Sequence, residues 1–277
     1  MLTLPLLATL MLTSPTDFTA ATRDFHRQRQ KRLTAEDGWL TLVGLEWLTE
    51  GANAEVPLPA PAPQHAGVWT RTGSTVAFTP AKGTAVTLRG KPFAGGVLKT
   101  DADGDPEVLD FNGVHIFPIV RGERVGLRMK DPHAPARKAF HGIPMFPIDA
   151  RWRIEARWEP APMTLEVPNV LGQVEQQPSP GVAVFAVGGT TYKLRPITEG
   201  DGKLFFIFGD STNKTESYGA GRFLYADAPK AGRVLLDFNR AVNPPCAFSS
   251  FATCPIPPAG NKLGLAIPAG EKRYGEH

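Results

Sequence analysis

The sequence predicts a mainly β protein in which a β-sandwich is followed by a second β-sandwich or barrel unit, with one short helix ahead of both. The 28 glycines and 27 prolines lie between short apolar runs, a distribution typical of many turns and strands. These runs are short and evenly spaced, which favours sandwiches or barrels over parallel α/β structure. Residues 151–159 alternate strictly between apolar and charged side chains, as a half-buried strand does.

The chain divides into three predicted segments. Residues 1–38 form an N-terminal segment that contains the helix, residues 39–140 form the first β unit, and residues 141–277 form the second β unit with a Pro-rich C-terminal loop. The stretch 131–150 is rich in Pro, His and Gly and marks the boundary between the two β units.

The helix is predicted over residues 15–33. Ser14 is its expected N-cap, Pro15 its first helical residue, and Asp17 a carboxylate near its positive end. An apolar stripe is expected to face the core and consists of Phe18, Ala21, Phe25 and Leu33. The opposite face is expected to be solvated and carries Arg23, Arg27, Arg29, Lys31 and Arg32.

The N-terminal residues 1–13 are apolar, carry no Lys or Arg before the apolar run, and are too few to span a bilayer. Ala20-Ala21 fits a signal-peptide cleavage site, whereas a helix that starts at Ser14 argues against one. Cytoplasmic and exported locations therefore both stay open.

Strands are predicted throughout the remaining chain. In the first unit they lie at 54–58, 67–70, 74–79, 84–89, 107–111, 114–121 and 124–130. In the second unit they lie at 151–159, 163–167, 182–187, 190–195, 203–209, 222–226 and 233–238. Gly188-Gly189 predicts a two-residue hairpin turn. Arg124, Arg128 and Lys130 share one face of their strand, and that face is expected to be solvated.

A cluster of polar residues near the C-terminus is the candidate site. Asp210 and Asp237 are candidate catalytic carboxylates, and the candidate ligand-binding residues are Thr212, Tyr218, Arg222, Asn239 and Asn243. An arginine with carboxylates and amides can bind a sugar, carboxylate or phosphate group. The same residues can instead form a buried network that satisfies the backbone of the Pro-rich loop.

Cys246 and Cys254 are the only cysteines. They could form a disulfide or a buried structural pair, act as two metal ligands, or include a nucleophile. No second CxxC, HExxH, GxSxG, GxGxxG or Walker motif is present, so neither a metal nor a cofactor is expected. The net charge of +3 gives no support for a nucleic-acid partner.

The C-terminal loop is expected to fold back over the end of the strand 233–238. Five prolines within residues 244–258 supply no N–H donors, so Asn239 and Asn243 should bond loop backbone. Arg222 should meet Asp210 or Asp237. The two cysteines should lie close together, and Phe248 and Phe251 should be buried.

Three motifs carry a resemblance to a known family: Trp39–Leu48; Asp210-Ser-Thr through Tyr218-Gly-Ala-Gly-Arg-Phe-Leu; and Asp237-Phe-Asn-Arg through Cys254-Pro-Ile-Pro-Pro, Asn261 and Ala269-Gly-Glu-Lys. Together they resemble the bacterial domain-of-unknown-function family 1684, over nearly the whole chain from about residue 20. Val242 departs from the aromatic residue more typical of the family. The family implies no established activity.

The first unit also resembles a forkhead-associated (FHA) β-sandwich, through Gly51, Val56–Pro59, His65-Ala66-Gly67 and Arg89-Gly90. In that family an Arg, a Ser and an Asn hold phosphothreonine. Ala52, Ala62 and Arg89 occupy the corresponding positions here, so the resemblance implies the fold without phosphopeptide binding.

Two functional hypotheses follow. The first is a small-ligand binding protein or scaffold with a polar pocket in the second unit. The alternative is a cofactor-free hydrolase that uses Asp210 and Asp237 as acid and base. The expected partner is a small molecule, without nucleic acid, phosphopeptide or a stable membrane span.

Overall fold

The computed structural model describes residues 15–198, 200 and 202–275, and it confirms the mainly β fold. The helices are α1 (Pro15–Leu33) and α2 (Pro135–Lys138). The strands are β1 (Leu42–Trp47), β2 (Gly51–Asn53), β3 (Gly67–Thr72), β4 (Thr75–Pro80), β5 (Thr87–Leu88), β6 (Lys91–Pro92), β7 (Gly96–Leu98), β8 (Leu109–Phe111), β9 (Val114–Arg121), β10 (Arg124–Lys130), β11 (Arg153–Pro168), β12 (Val174–Val187), β13 (Thr190–Leu194), β14 (Ile197–Thr198), β15 (Leu204–Phe208), β16 (Arg222–Ala226) and β17 (Arg233–Asp237).

The leader-like segment 1–13 and the proposed N-cap Ser14 lie outside the described residues. Helix α1 begins at Pro15 and runs through Ala20 and Ala21. Within the described part of the chain, every helix is too short or too polar to cross a bilayer.

The first unit contains two antiparallel sheets around one core. The larger sheet has the order β1-β10-β9-β8-β5-β6, and the smaller has the order β2-β3-β4-β7. Both sheets contribute to a single apolar cluster, in which the ring centroids of Trp69 and Phe78 lie 4.3 Å apart and those of Phe78 and Phe111 lie 5.5 Å apart. Burial of these large aromatic side chains stabilises the unit, at about 1.5–3 kcal/mol for each.

The second unit pairs a four-stranded sheet, β13-β12-β11-β17, with a three-stranded sheet, β14-β15-β16. The predicted alternation in β11 is confirmed, because Ala156 is fully buried while Glu155 and Arg157 are exposed. Trp152 and Trp158 pack against the core of this unit. Strands β11 and β12 continue past the sheet as a long two-stranded ribbon that ends near residues 168–174.

Several predicted strand boundaries are wrong. Residues 54–58 are not a strand, because this stretch leads into a run of prolines that cannot donate ladder hydrogen bonds. The predicted strands 151–159 and 163–167 are parts of the single strand β11. The hairpin turn is confirmed: Gly188 and Gly189 have φ angles of 58° and 82°, which favour glycine.

Helix α1 has the predicted bounds, but its buried face is more polar than expected. Ala21 is exposed, and the buried side chains are Phe18, Thr22, His26 and Leu33. His26 Nε2 bonds the carbonyl of Asn239 at 2.7 Å, and Arg29 Nη2 donates to the carbonyl of Asn243 at 2.9 Å. The helix is therefore held on the C-terminal region through polar contacts.

The C-terminal loop runs to the tip of the β11–β12 ribbon. The Val170 N–H donates to the Cys254 carbonyl at 3.0 Å, and the Ile256 N–H donates to the Pro168 carbonyl at 2.8 Å. Phe248 is buried as predicted. Phe251 is 36% exposed, which contradicts its predicted burial.

Candidate functional site

Arg222 and Asp210 form a fully buried ion pair at the centre of the predicted cluster. Arg222 also donates to the carbonyls of Ala269 and Ile267, the latter at 2.9 Å. The second oxygen of Asp210 accepts from the N–H of Thr212 at 2.6 Å and from its hydroxyl at 2.5 Å. Burial lowers the pKa of Arg222, and the neighbouring Asp210 opposes that shift. The pair ties the β16 strand to the C-terminal segment.

Asp237 and Asn239 form a second, separate group. Asp237 Oδ1 accepts from the N–H of Asn239 at 3.2 Å and from its Nδ2 at 3.1 Å, while Oδ2 lies 3.5 Å from Nε of Arg240. Asn239 also exchanges two hydrogen bonds of 2.9 Å with the backbone of Asp149. Asp237 thus caps a short turn at the end of β17.

Asn243 belongs to a third group around Glu271, a residue that the sequence prediction missed. The N–H of Asn243 donates to Glu271 Oε2 at 2.6 Å, and its Nδ2 donates to the carbonyl of Lys272 at 2.8 Å. Glu271 is fully buried, and burial raises its pKa to about 7 against the opposing effect of Arg29, whose Nε lies 3.6 Å from Oε1.

A signal for part of this group was present in the sequence. His26 and Arg29 follow Phe18 and precede Leu33 at helical spacing, so they lie on the same face of α1 as these two apolar residues. That spacing predicts buried polar contacts for this face of the helix. The prediction that Arg29 lies on the solvated face is therefore wrong. Glu271 lies in the motif Ala269-Gly-Glu-Lys that carries the family resemblance, but the sequence prediction gave it no role.

The predicted site residues are therefore distributed over separate internal groups and do not form one pocket. Arg222 meets Asp210 and Asn243 bonds loop backbone, as predicted, whereas Asn239 bonds the backbone of Asp149 and not the loop. Neither Asp210 nor Asp237 lines the two cavities described below; Asn239 lines the second of them. These contacts support the structural interpretation of both aspartates.

Cys246 and Cys254 are adjacent free thiols. The backbone N–H of Cys246 donates to Sγ of Cys254 at 3.1 Å. Tyr218, a predicted ligand-binding residue, lies here and donates its hydroxyl to the carbonyl of Cys246 at 3.2 Å. No group of three or more His, Cys, Asp or Glu side chains that could hold a metal ion occurs among the residues described.

A cleft of about 430 Å³ lies where the first unit, the ribbon and the C-terminal loop meet. The first unit contributes Trp39 and the β9–β10 hairpin, the ribbon contributes its inner face, and the loop contributes the residues around Cys254. Its lining residues are Trp39, Val120, Arg121, Gly122, Arg128, Val167, Asn169, Glu175, Gln177, Ile197, Phe223, Pro245, Thr253, Cys254 and Pro255.

Two arginines converge in this cleft. Arg121 Nε and Arg128 Nη2 both donate to Oγ1 of Thr253, at 3.0 and 3.2 Å. Arg121 is paired with Asp101 at 2.7 Å, whereas Arg128 has no ion-pair partner in the described part of the chain. Arg128 is only 6% exposed, which contradicts the predicted solvated face. Sheet alternation predicted which residues share a face, but not that the second unit covers that face.

The guanidinium of Arg128 stays charged at neutral pH despite this burial. Desolvation and the neighbouring Arg121 lower the pKa of Arg128 to about 10, still well above 7. The guanidinium lies over the Trp39 ring, 5.2 Å from its centroid, and its Nε has no hydrogen-bond partner among the described residues. The cleft therefore contains a buried cation that forms no ion pair with a described carboxylate, and Glu175, which also lines the cleft, accepts from Gln177 instead.

The other walls of the cleft are apolar or accept hydrogen bonds. Val167 and Phe223 belong to the apolar cluster between the two units. Glu175 and Gln177 project from the ribbon, where Gln177 Nε2 donates to Glu175 Oε2 at 3.2 Å. Gln173 anchors the ribbon tip to the first unit by donating to the carbonyl of Arg121 at 3.0 Å.

A second cavity of about 630 Å³ separates α1 from residues 145–148. Arg23, His26 and Arg27 line it, together with Asn239, but Arg27 is already paired with Asp24 at 2.7 Å. Burial lowers the pKa of His26, so this residue adds no charge to the cavity at neutral pH.

The comparisons with known proteins give a family and no activity. The solution NMR structure of an uncharacterized protein of Haloarcula marismortui is similar to this chain at 28% identity, with a TM-score of 0.43, over 53% of this chain and 85% of that one. No curated protein matches the chain. The model of the family described as a protein of unknown function, DUF1684, matches residues 138–272, so that the motif Trp39–Leu48 lies outside the match. The chain therefore contains a region of the DUF1684 family, as its C-terminal motifs predicted.

Proposed function

We propose that the protein binds a small organic anion, with a carboxylate or phosphate group, in the cleft between the first unit and the β11–β12 ribbon. The observation that carries this proposal is Arg128, a buried guanidinium that lines the cleft and has no ion-pair partner in the described part of the chain. Ten of the fifteen lining residues come from the second unit, for which a ligand pocket is predicted, but of the predicted site residues only Cys254 lines the cleft.

The electrostatics of the cleft support an anionic ligand. Arg121 and Arg128 both reach Thr253 Oγ1, so two like charges lie close together with only one bound carboxylate, Asp101. An anion placed beside Thr253 would relieve that repulsion and give the free Arg128 donors a charged acceptor. Guanidinium groups suit carboxylate and phosphate because their planar N–H groups can bond two oxygens at once.

The volume and the remaining walls of the cleft suit a ligand in which the anionic group is attached to a carbon skeleton. A volume of about 430 Å³ falls within the roughly 300–1,000 Å³ typical of small-molecule sites. Val167 and Phe223 offer apolar contact for a carbon skeleton, whereas Glu175 and Gln177 can accept hydrogen bonds from ligand hydroxyl groups. Hydroxylated organic acids and sugar phosphates match this combination.

Ligand binding has more support than the alternative of a hydrolase that uses an aspartate pair. Asp210 is enclosed with Arg222, and Asp237 caps its own turn, so both carboxylates are already engaged by protein groups. A general acid and base must reach a substrate and a water molecule.

A thermal-shift screen of carboxylates, phosphates and sugar acids tests the proposal, because a ligand selective for the folded state raises the melting temperature. For the best anion, the Arg128→Gln variant should bind at least about tenfold more weakly, since a charged hydrogen bond contributes roughly 1.5–3 kcal/mol. The matched control is Arg124→Gln, an exposed arginine on the same strand that does not line the cleft. Equal affinities for the wild type and Arg128→Gln would contradict the proposal.

For the first unit we infer an FHA-like sandwich that does not bind phosphothreonine. Ala52 and Ala62 supply no polar side chain. Arg89 is exposed, and its Nη2 lies 3.6 Å from Oε1 of Glu107, a carboxylate that would repel a phosphate. Fluorescence anisotropy with a phosphothreonine peptide library should show no binding that depends on the phosphate. Micromolar binding that disappears after dephosphorylation would contradict this expectation.

A further inference from the structure

We propose that Cys246 and Cys254 form a redox modification site, in which a hydroperoxide converts the two thiols into a disulfide and thereby reshapes the anion cleft. The effect on the cleft rests on the proposed function. The formation of the disulfide rests only on the geometry of the thiols.

The geometry brings two reduced thiols together without a further ligand. The backbone N–H of Cys246 donates to the sulfur of Cys254 at 3.1 Å, which places that sulfur beside the residue that carries the other thiol. The two residues lie on either side of the 247–253 segment of one loop, so that the bond would close a short ring. Because the Cys254 sulfur lies this close to the Cys246 backbone, we expect side-chain rotation to bring the two sulfurs to the S–S bond length of about 2.05 Å.

The two thiols have different roles, set by their surroundings. Cys246 is partly exposed, whereas Cys254 is buried. The neighbouring Cys254 lowers the pKa of Cys246 against the opposing effect of burial, whereas Cys246 and burial together raise the pKa of Cys254. Of two neighbouring thiols, the more accessible one with the lower pKa is the one that reacts with peroxide, and here that thiol is Cys246.

The chemistry proceeds in two balanced steps. The thiolate of Cys246 attacks one oxygen of hydrogen peroxide, the O–O bond breaks, and, with uptake of one proton, Cys246 sulfenic acid and water are formed. The sulfur of Cys254 then attacks the sulfenic sulfur, which forms the S–S bond and releases a second water. In total, two thiols are oxidised by two electrons, and one peroxide is reduced to two water molecules.

The disulfide would act on the cleft through neighbouring residues. Pro245 and Cys246 are adjacent, and so are Thr253 and Cys254, and both Pro245 and Thr253 line the cleft. Thr253 also accepts the hydrogen bonds from Arg121 and Arg128. Movement of Cys254 towards Cys246 therefore displaces the hydroxyl that orients both arginines, and we expect the affinity for the anion to change at least about fivefold.

The modification is tested on the whole protein with a small excess of hydrogen peroxide, followed by intact mass and peptide mapping. The expected product has lost two hydrogen atoms, contains one peptide cross-linked between Cys246 and Cys254, and is reversed by dithiothreitol. In the Cys254→Ser variant, dimedone should trap a sulfenic acid on Cys246. With the reduced wild type, limiting iodoacetamide should label Cys246 before Cys254, a measurement that does not depend on whether a variant folds.

The outcomes separate the modification site from the proposed function. The proposed modification site is wrong if both thiols stay reduced, or if peroxide forms disulfides only between molecules. If the disulfide forms and the oxidised and reduced proteins bind the anion equally, the link to the cleft is wrong. If the disulfide forms and the reduced protein binds none of the screened anions, the proposed function and the link both fail while the dithiol site stands.

Discussion

Replacement of Arg222 by alanine is expected to lower the free energy of unfolding by about 3–5 kcal/mol. The variant leaves the carboxylate of Asp210 fully buried without its cation, and it frees the carbonyls of Ala269 and Ile267. Removal of one partner of a buried pair costs far more than removal of both, because the remaining charge cannot reach water.

Urea unfolding of the wild type and the variant measures this difference. Arg32→Ala, on the exposed face of α1, is the matched control and should change the free energy of unfolding by less than about 0.5 kcal/mol. The double variant Asp210→Asn, Arg222→Ala should recover part of the loss, since it removes the unpaired charge. An Arg222→Ala protein as stable as the control would show that this network does not hold the fold together.

Glu271 should make the stability of the fold depend on pH between about 4.5 and 7. Its pKa rises to about 7 on folding, so the folded state binds a proton that the unfolded state releases in this window. The stabilisation is fully present below pH 4.5 and is lost as the pH rises through 7. A shift of this size corresponds to a change on the order of 3 kcal/mol.

The pH effect is measured as the difference in unfolding free energy between the wild type and Glu271→Gln, which mimics the protonated carboxyl and keeps the acceptor for Asn243. Relative to Glu271→Gln, the wild type should lose unfolding free energy as the pH rises from about 4.5 to about 7.5. His26 acts in the opposite direction, since its pKa falls on folding, but it is present in both proteins and cancels. A difference that does not vary with pH would refute the assignment to Glu271.

Much of the fold could be predicted because it follows from local patterns in the sequence. The strands β9, β10 and β16 match the predicted bounds, since alternation and turn residues mark their ends. The predicted bounds of helix α1, residues 15–33, match the structure. The contact between Arg222 and Asp210 followed from a Pro-rich loop that requires side-chain partners.

The cleft could not be predicted because it arises from contacts between distant segments. Arg128 and Thr253 are 125 residues apart, and nothing near Arg128 in the sequence indicates that the ribbon and the loop cover its face of the sheet. Local charge patterns indicate which side chains share a face, whereas burial of that face depends on how the two units pack. The sequence therefore pointed to the polar network beneath the surface and missed the cleft beside it.

The proton–nitrogen spectrum of the arginine side chains tests the anion cleft most directly. On titration with the best anion from the screen, the Nε–H resonance of Arg128, identified by its absence in Arg128→Lys, should shift and saturate together with that of Arg121. The resonance of Arg124 should stay in place. Saturable binding of the anion that leaves the resonances of Arg121 and Arg128 unmoved would contradict the proposed site.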